Sequence, residues 1–395
     1  MAQAFTGIRV LDFTQVLAGP FATQQLAQHG AQVIKIEPPG SGDMTRRLMS
    51  GTHKGDAPSF LTCNLGKKSI ALNLKSDAAD DIIARLARSA DVVVENFRPG
   101  VMRRLGFDYE RLSALREDLI YCSISGFGQS GPASRKPAYD GAIQASSGMM
   151  AVTGHAATGP TRTGYMPVDM ATALNAAFAI ATALYRRQVT GAGEYLDVAM
   201  LDTAMVLQAP QISAHFVTGA VPKLLGNRSP TKAPTANLFE CEDGFLQVVA
   251  MKETQVQALF EALDLTHRYP EFTGEVNRIA KADQINALLE PKFASESAAS
   301  WRTKLEVVGV PAEVIRSYAD VVADPQLAER PIFTETPVSE DTVKKVVSAA
   351  HTALNDPPRV AGPAPDLGEH TDELLGELGY DEATIAAWRA SGDVQ

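Results

Sequence analysis

Short β-branched runs alternate with helical periodicity along the first 125 residues. Residues 8–13 (IRVLDF) predict a strand, and Gly19-Pro20 opens a helix to about residue 29, with proline where its missing N–H costs nothing. Gly30 ends that helix. Further strands are expected at 32–37 (QVIKIE), 69–74 (SIALNL), 91–95 (DVVVE) and 119–124 (LIYCSI). Between them lie helices over 77–90, with Ser76 as N-cap, and over 108–116. Strands separated by helices of this length predict an α/β fold with a parallel sheet and crossover helices. Residues 170–187 (MATALNAAFAIATALYRR) form the strongest helical segment, ending in two arginines that suit a helix C-terminus. A strand entering a helix follows at 194–201.

The pattern weakens over 201–225, which reads as a linker. Beyond it, 226–329 predicts a smaller α+β unit. It has a hairpin at Asp243-Gly244 and helices near 253–263, 281–295 and 297–308. Residues 355–368 are rich in proline and glycine and predict loop, and 369–390 predict helix. A length of 395 residues exceeds what one core usually spans.

The composition adds exclusions. Net charge is −10, which argues against a nucleic-acid partner. Three unspaced cysteines argue against a disulfide framework, and scattered histidines against a metal site. No secretory signal opens the chain, and 170–184 reads as a buried helix, so a cytoplasmic protein without membrane contact is expected. The turn after the first strand, Thr14-Gln15-Val16-Leu17-Ala18-Gly19-Pro20, lacks the glycines of a dinucleotide site.

Basic residues gather around the predicted sheet: Lys67, Lys68, Lys75, Arg98, Arg103, Arg104, Arg135 and Lys136. They suit a phosphate-rich ligand, or a solvated face. Asp169, directly before the alanine-rich segment, reads as an ordinary N-cap. Equally, a helix N-terminus keeps a carboxylate ionised, and an ionised carboxylate can be a covalent nucleophile. Local sequence does not separate the two.

Seven motifs, in order, resemble one family: V-L-D-F-T-Q-V-L-A-G-P (10–20), V-I-K-I-E-P-P-G-S-G-D (33–43), V-E-N-F-R-P-G (94–100), Gly106-Phe107, S-G-F-G-Q-S-G-P (125–132), Y-D-G-A-I-Q-A-S-S-G (139–148) and D-L-G-E-H-T-D (366–372). The chain resembles the family III CoA-transferases, a superfamily that includes the α-methylacyl-CoA racemases. The resemblance implies an open Rossmann-like large domain over 1–200, completed by 330–395, and a small domain between. It also implies a homodimer of interlocked rings. It makes Asp169 the nucleophile that carries the acyl group. It places CoA against Val16, Leu17, Ala18, Leu72, Asn73, Leu74, Lys75, Asn96, Phe97, Arg98, Arg104, Lys136 and Tyr139, with Lys75, Arg98 and Arg104 taking phosphates. CoA is then a substrate and no separate cofactor is required. The expected activity moves CoA from an acyl-CoA donor, succinyl-CoA by family prevalence, to a carboxylic acid.

The chain departs from the family pattern in places. Pro38 and Pro137 replace basic residues, and no glycine-rich loop of the oxalate enzymes is visible between 220 and 260, which leaves the acceptor open. The alternative activity is racemisation or isomerisation of a bound acyl-CoA. That branch has a histidine where Tyr139 stands, and racemisation needs two acid/base groups. A CoA-binding protein without catalysis is a third class, against which the intact Asp169 argues.

Overall fold

A computed structural model describes residues 3–48, 57–339 and 342–395. The chain divides into two compact units. One comprises 1–149, 163–219 and 329–395, and the other 150–162 and 220–328.

The first unit is built on six parallel strands: β1 (Arg9–Asp12), β2 (Gln32–Glu37), β3 (Lys68–Ala71), β4 (Val92–Glu95), β5 (Ile120–Ser125) and β6 (Glu194–Ala199). Their order is β3-β2-β1-β4-β5-β6. Alternation along each strand divides the core between the two faces. Val10, Val33, Val92 and Val94 pack against the helix Ala18–Gln28 and the long helix Pro167–Thr190. Leu11, Ile34, Ile70 and Val93 pack on the other face, where the helix Asp77–Ser89 brings Ile82, Ile83 and Leu86. The C-terminal helices Thr371–Glu377 and Glu382–Ser391 complete this second core with Leu374, Leu375 and Ile385. Val394 bridges to Leu72, and Asp393 accepts the Asn73 N–H.

Three local readings change. Ser76 holds the N-cap position, yet its hydroxyl donates back to the Asn73 carbonyl instead of capping. Residues 201–225, expected as linker, are largely helical, over Met200–Leu207 and Ala209–Thr218. The second of these helices buries none of its residues, so it lacks the apolar face that marks a packed helix in sequence. The long helix starts at Pro167, which moves Asp169 from a cap into the first turn.

The second unit holds a three-stranded antiparallel sheet, with Ala236–Cys241 and Gly244–Val249 forming the expected hairpin and Ala312–Val314 the third strand. Helices Glu253–Ala262, Ala282–Phe293 and Ala298–Val307 cover it around Phe239, Phe260, Phe293 and Trp301.

The Pro167–Thr190 helix is long and apolar enough to cross a membrane by length and composition. Ala173, Ala176, Ile180 and Leu184 nevertheless pack into the core of the first unit.

Candidate active site

The C-terminal ends of β1, β4 and β5 open onto a cavity of about 300 Å³. Ligands of open α/β sheets collect at this edge, where the chain leaves the strands as loops. Val16, Leu17 and Ala18 line the cavity from the first turn, and Asn96, Phe97 and Arg98 from the loop after β4. Gly126, Lys136 and Tyr139 come from the segment after β5, and Asp169 from the long helix. Gly126 is required there, since a Cβ would lie 2.2 Å from Ala138 Cβ.

Asp169 sits beside Asp140, which holds the start of its helix. The Asp140 Oδ2 accepts the N–H groups of Val168 (2.8 Å) and Asp169 (3.1 Å), and Oδ1 accepts from Gln144 Nε2. Asp140 therefore caps the long helix from outside it. No residue of the helix is needed as cap, and the Asp169 carboxyl accepts no hydrogen bond among the described residues. Burial, with repulsion from Asp140 added, pushes Asp169 up from its ordinary 3.8 to about 7. Such a carboxylate is more basic, and so more nucleophilic, than a solvated one.

The basic residues divide into two sets. Lys67 is fully buried and pairs with Asp12 at 2.8 Å, Lys68 pairs with Glu373, and Arg103 with Asp108 and Glu110. These are structural ions. Lys75, Arg98, Arg104, Arg135 and Lys136 are exposed and have no ion-pair partner among the described residues. They remain available for phosphates.

Of the residues expected to meet CoA, Val16, Leu17, Ala18, Asn96, Phe97, Arg98, Lys136 and Tyr139 share the cavity with Asp169. Leu72, Asn73, Leu74 and Lys75 follow β3, and Arg104 lies on the helix Val101–Leu105; none of these five lines the cavity. Leu72 is wholly buried, Leu74 packs on the core, and Asn73 Oδ1 accepts the Lys75 N–H. Sequence reasoning passed over Asp140, whose only trace was its place directly after Tyr139. It also passed over Asp43, which accepts the N–H of Val16.

No cluster of three or more His, Cys, Asp or Glu side chains suited to a metal ion occurs among the described residues.

Fold and site together define a CoA-transferase. The model of CoA-transferase family III matches residues 5–371, and the chain belongs to that family. It is similar to the acetyl-CoA:oxalate CoA-transferase of Acetobacter aceti, 37% identical over 96% of this chain and 97% of the relative. It is also similar to the succinyl-CoA:glutarate CoA-transferase of Mus musculus, 34% identical over 98% and 90%. Among solved structures, a CAIB/BAIF family protein from Brucella suis superposes with a TM-score of 0.85, at 32% identity, over 96% of this chain and all of that one.

Proposed function

We propose that this CoA-transferase moves CoA from an acyl-CoA donor to a dicarboxylic acid through covalent intermediates on Asp169. The observation that carries the reading is the Asp169 carboxyl itself: among the described residues it accepts no hydrogen bond, it sits near neutrality, and it faces a cavity with Arg98 and Lys136 on its walls. The ionised carboxylate attacks the donor thioester carbonyl. The C–S bond breaks, CoA thiolate leaves, and a mixed anhydride forms. The thiolate then attacks the aspartyl carbonyl, releasing the donor acid and leaving an aspartyl–CoA thioester. The acceptor carboxylate attacks that thioester, expelling thiolate and forming a second anhydride. Attack of thiolate on the acceptor's carbonyl gives the new acyl-CoA and regenerates Asp169. Each exchange is divided into easier covalent steps.

Arg98 and Lys136 hold CoA phosphates in this reading, joined by Lys75 and Arg104 farther along the edge. Val16–Ala18, Phe97 and Tyr139 line the pantetheine path. The names of the relatives, with acetyl-CoA or succinyl-CoA as donor and oxalate or glutarate as acceptor, support a short dicarboxylic acceptor and succinyl-CoA among the donors.

The working form is a homodimer. Phe178, Tyr185 and Val189 on the long helix are about 70% exposed, and Phe216 and Val217 on the helix Ala209–Thr218 more than 80%. Exposed apolar area of this kind marks an association surface. The three cysteines are buried and free, consistent with a reducing cytoplasm.

Asp169→Ala should abolish transfer between acyl-CoA donors and dicarboxylic acids while the far-UV CD spectrum stays native. A CoA adduct should be found on the Asp169 peptide of the wild type by mass spectrometry. Retained turnover in the variant would refute the assignment.

A further inference from the structure

Val16, which lines the candidate site, has φ = +72°. This is the left-handed region, and a β-branched residue seldom adopts it. Such a conformation persists only where the surroundings over-determine it.

Here they do so through side chains that template the backbone of the turn. The Thr14 N–H donates to Asp12 Oδ1 at 2.9 Å, and the Thr14 carbonyl accepts from Lys35 Nζ at 2.8 Å. Asn96 clamps Gln15 from both sides, accepting its N–H at 2.8 Å and donating to its carbonyl at 2.7 Å. The Val16 N–H donates to Asp43 Oδ1 at 3.2 Å. The two ends of this template are joined, because Lys35 Nζ lies 2.9 Å from Asp43 Oδ2 and both side chains are wholly buried. Asp43 is itself held by the N–H and hydroxyl of Thr45. Gly19 lets the following helix close over the turn, since a Cβ there would fall 2.3 Å from Thr14 Cβ.

Resting on the functional reading above, we propose that Asp43, with Lys35 behind it, is a positioning residue for CoA: it holds Val16 in the left-handed conformation that presents Val16, Leu17 and Ala18 to the cavity.

A double-mutant cycle on Asp43 and Val16 tests this, read by calorimetric titration with coenzyme A, which needs no turnover. Glycine adopts positive φ without the steric penalty, so V16G relieves the turn of its need to be held. Asp43→Ala, which removes the acceptor of the Val16 N–H, should weaken CoA binding about tenfold, about 1.4 kcal/mol, in the otherwise native chain. It should do so less than twofold in the V16G background. In steady state D43A should raise the acyl-CoA KM more than it lowers kcat. A merely structural Asp43 would instead weaken binding equally in both backgrounds, and that outcome overturns the proposal. Should D43A fail to fold with Lys35 left unpaired, Asp43→Glu carries the same cycle, since it keeps the charge beside Lys35 and displaces the acceptor from the Val16 N–H. A wild-type protein that does not bind CoA would overturn the functional reading itself, a result distinct from an additive cycle.

Discussion

A buried carboxyl held near pH 7 destabilises the folded chain, and the size of the effect follows from its surroundings. Asp169 titrates at about 7 in the fold against an ordinary value of 3.8. Between these two values the folded chain binds more protons than the unfolded one, so stability falls as pH rises through that window and levels off above it. Each pH unit in the window is worth about 1.4 kcal/mol, which sets a ceiling of about 4 kcal/mol. Asp169 is only partly enclosed, and solvent at the cavity mouth reduces this to about 2 kcal/mol. Asp169→Asn removes the titration but keeps the shape. The variant should therefore be more stable than the wild type by about 2 kcal/mol at pH 8, and the gain should shrink to about a third by pH 5. Urea unfolding of both proteins at the two pH values measures it. A gain of the same size at pH 5 and pH 8, or none at pH 8, would refute the reasoning. The variant should at the same time be inactive, so that stability and catalysis oppose each other at one atom group.

Other consequences can be checked separately. Asp140→Asn keeps an acceptor for the first-turn amides and removes the repelling charge. The acid limb of the kcat/KM profile, expected near pH 7 in the wild type, should move down by about one unit. Lys67→Met leaves Asp12 buried without its cation and should destabilise the first unit by about 3–5 kcal/mol in chemical denaturation. Arg98→Ala should raise the acyl-CoA KM about tenfold with little change in kcat, an effect that narrows at high salt as screening takes over.

The strands β1 to β5 were legible because each is a compact apolar run between turn residues, and both faces of a parallel sheet are buried. Asp169 was singled out through its place among a chain-long set of motifs. Its local environment was not, because Asp140 reaches the first turn of the long helix from 28 residues upstream and leaves no periodicity in the sequence. Lys67 and Lys75 look alike in sequence, on either side of β3. Only the fold puts the first beside Asp12 in the core and leaves the second in solvent. The helix Ala209–Thr218 escaped for the opposite reason: it buries none of its residues, and Phe216 and Val217 point outward, so no buried stripe announces it.

The core of the first unit is assembled from segments far apart in synthesis. Leu374, Leu375, Ile385 and Val394 pack against strands that end by residue 125. On the ribosome these strands must wait, with one apolar face incompletely covered, while the roughly 250 residues between Ser125 and Leu374 are made. The second unit is nearly continuous over 220–328 and can close first, although it is encoded later. The first unit, begun earlier in translation, can therefore be completed later than the second. A chain stalled before residue 371 would be a substrate for chaperones, and losses near the C-terminus would strike the CoA-binding sheet at the other end of the sequence.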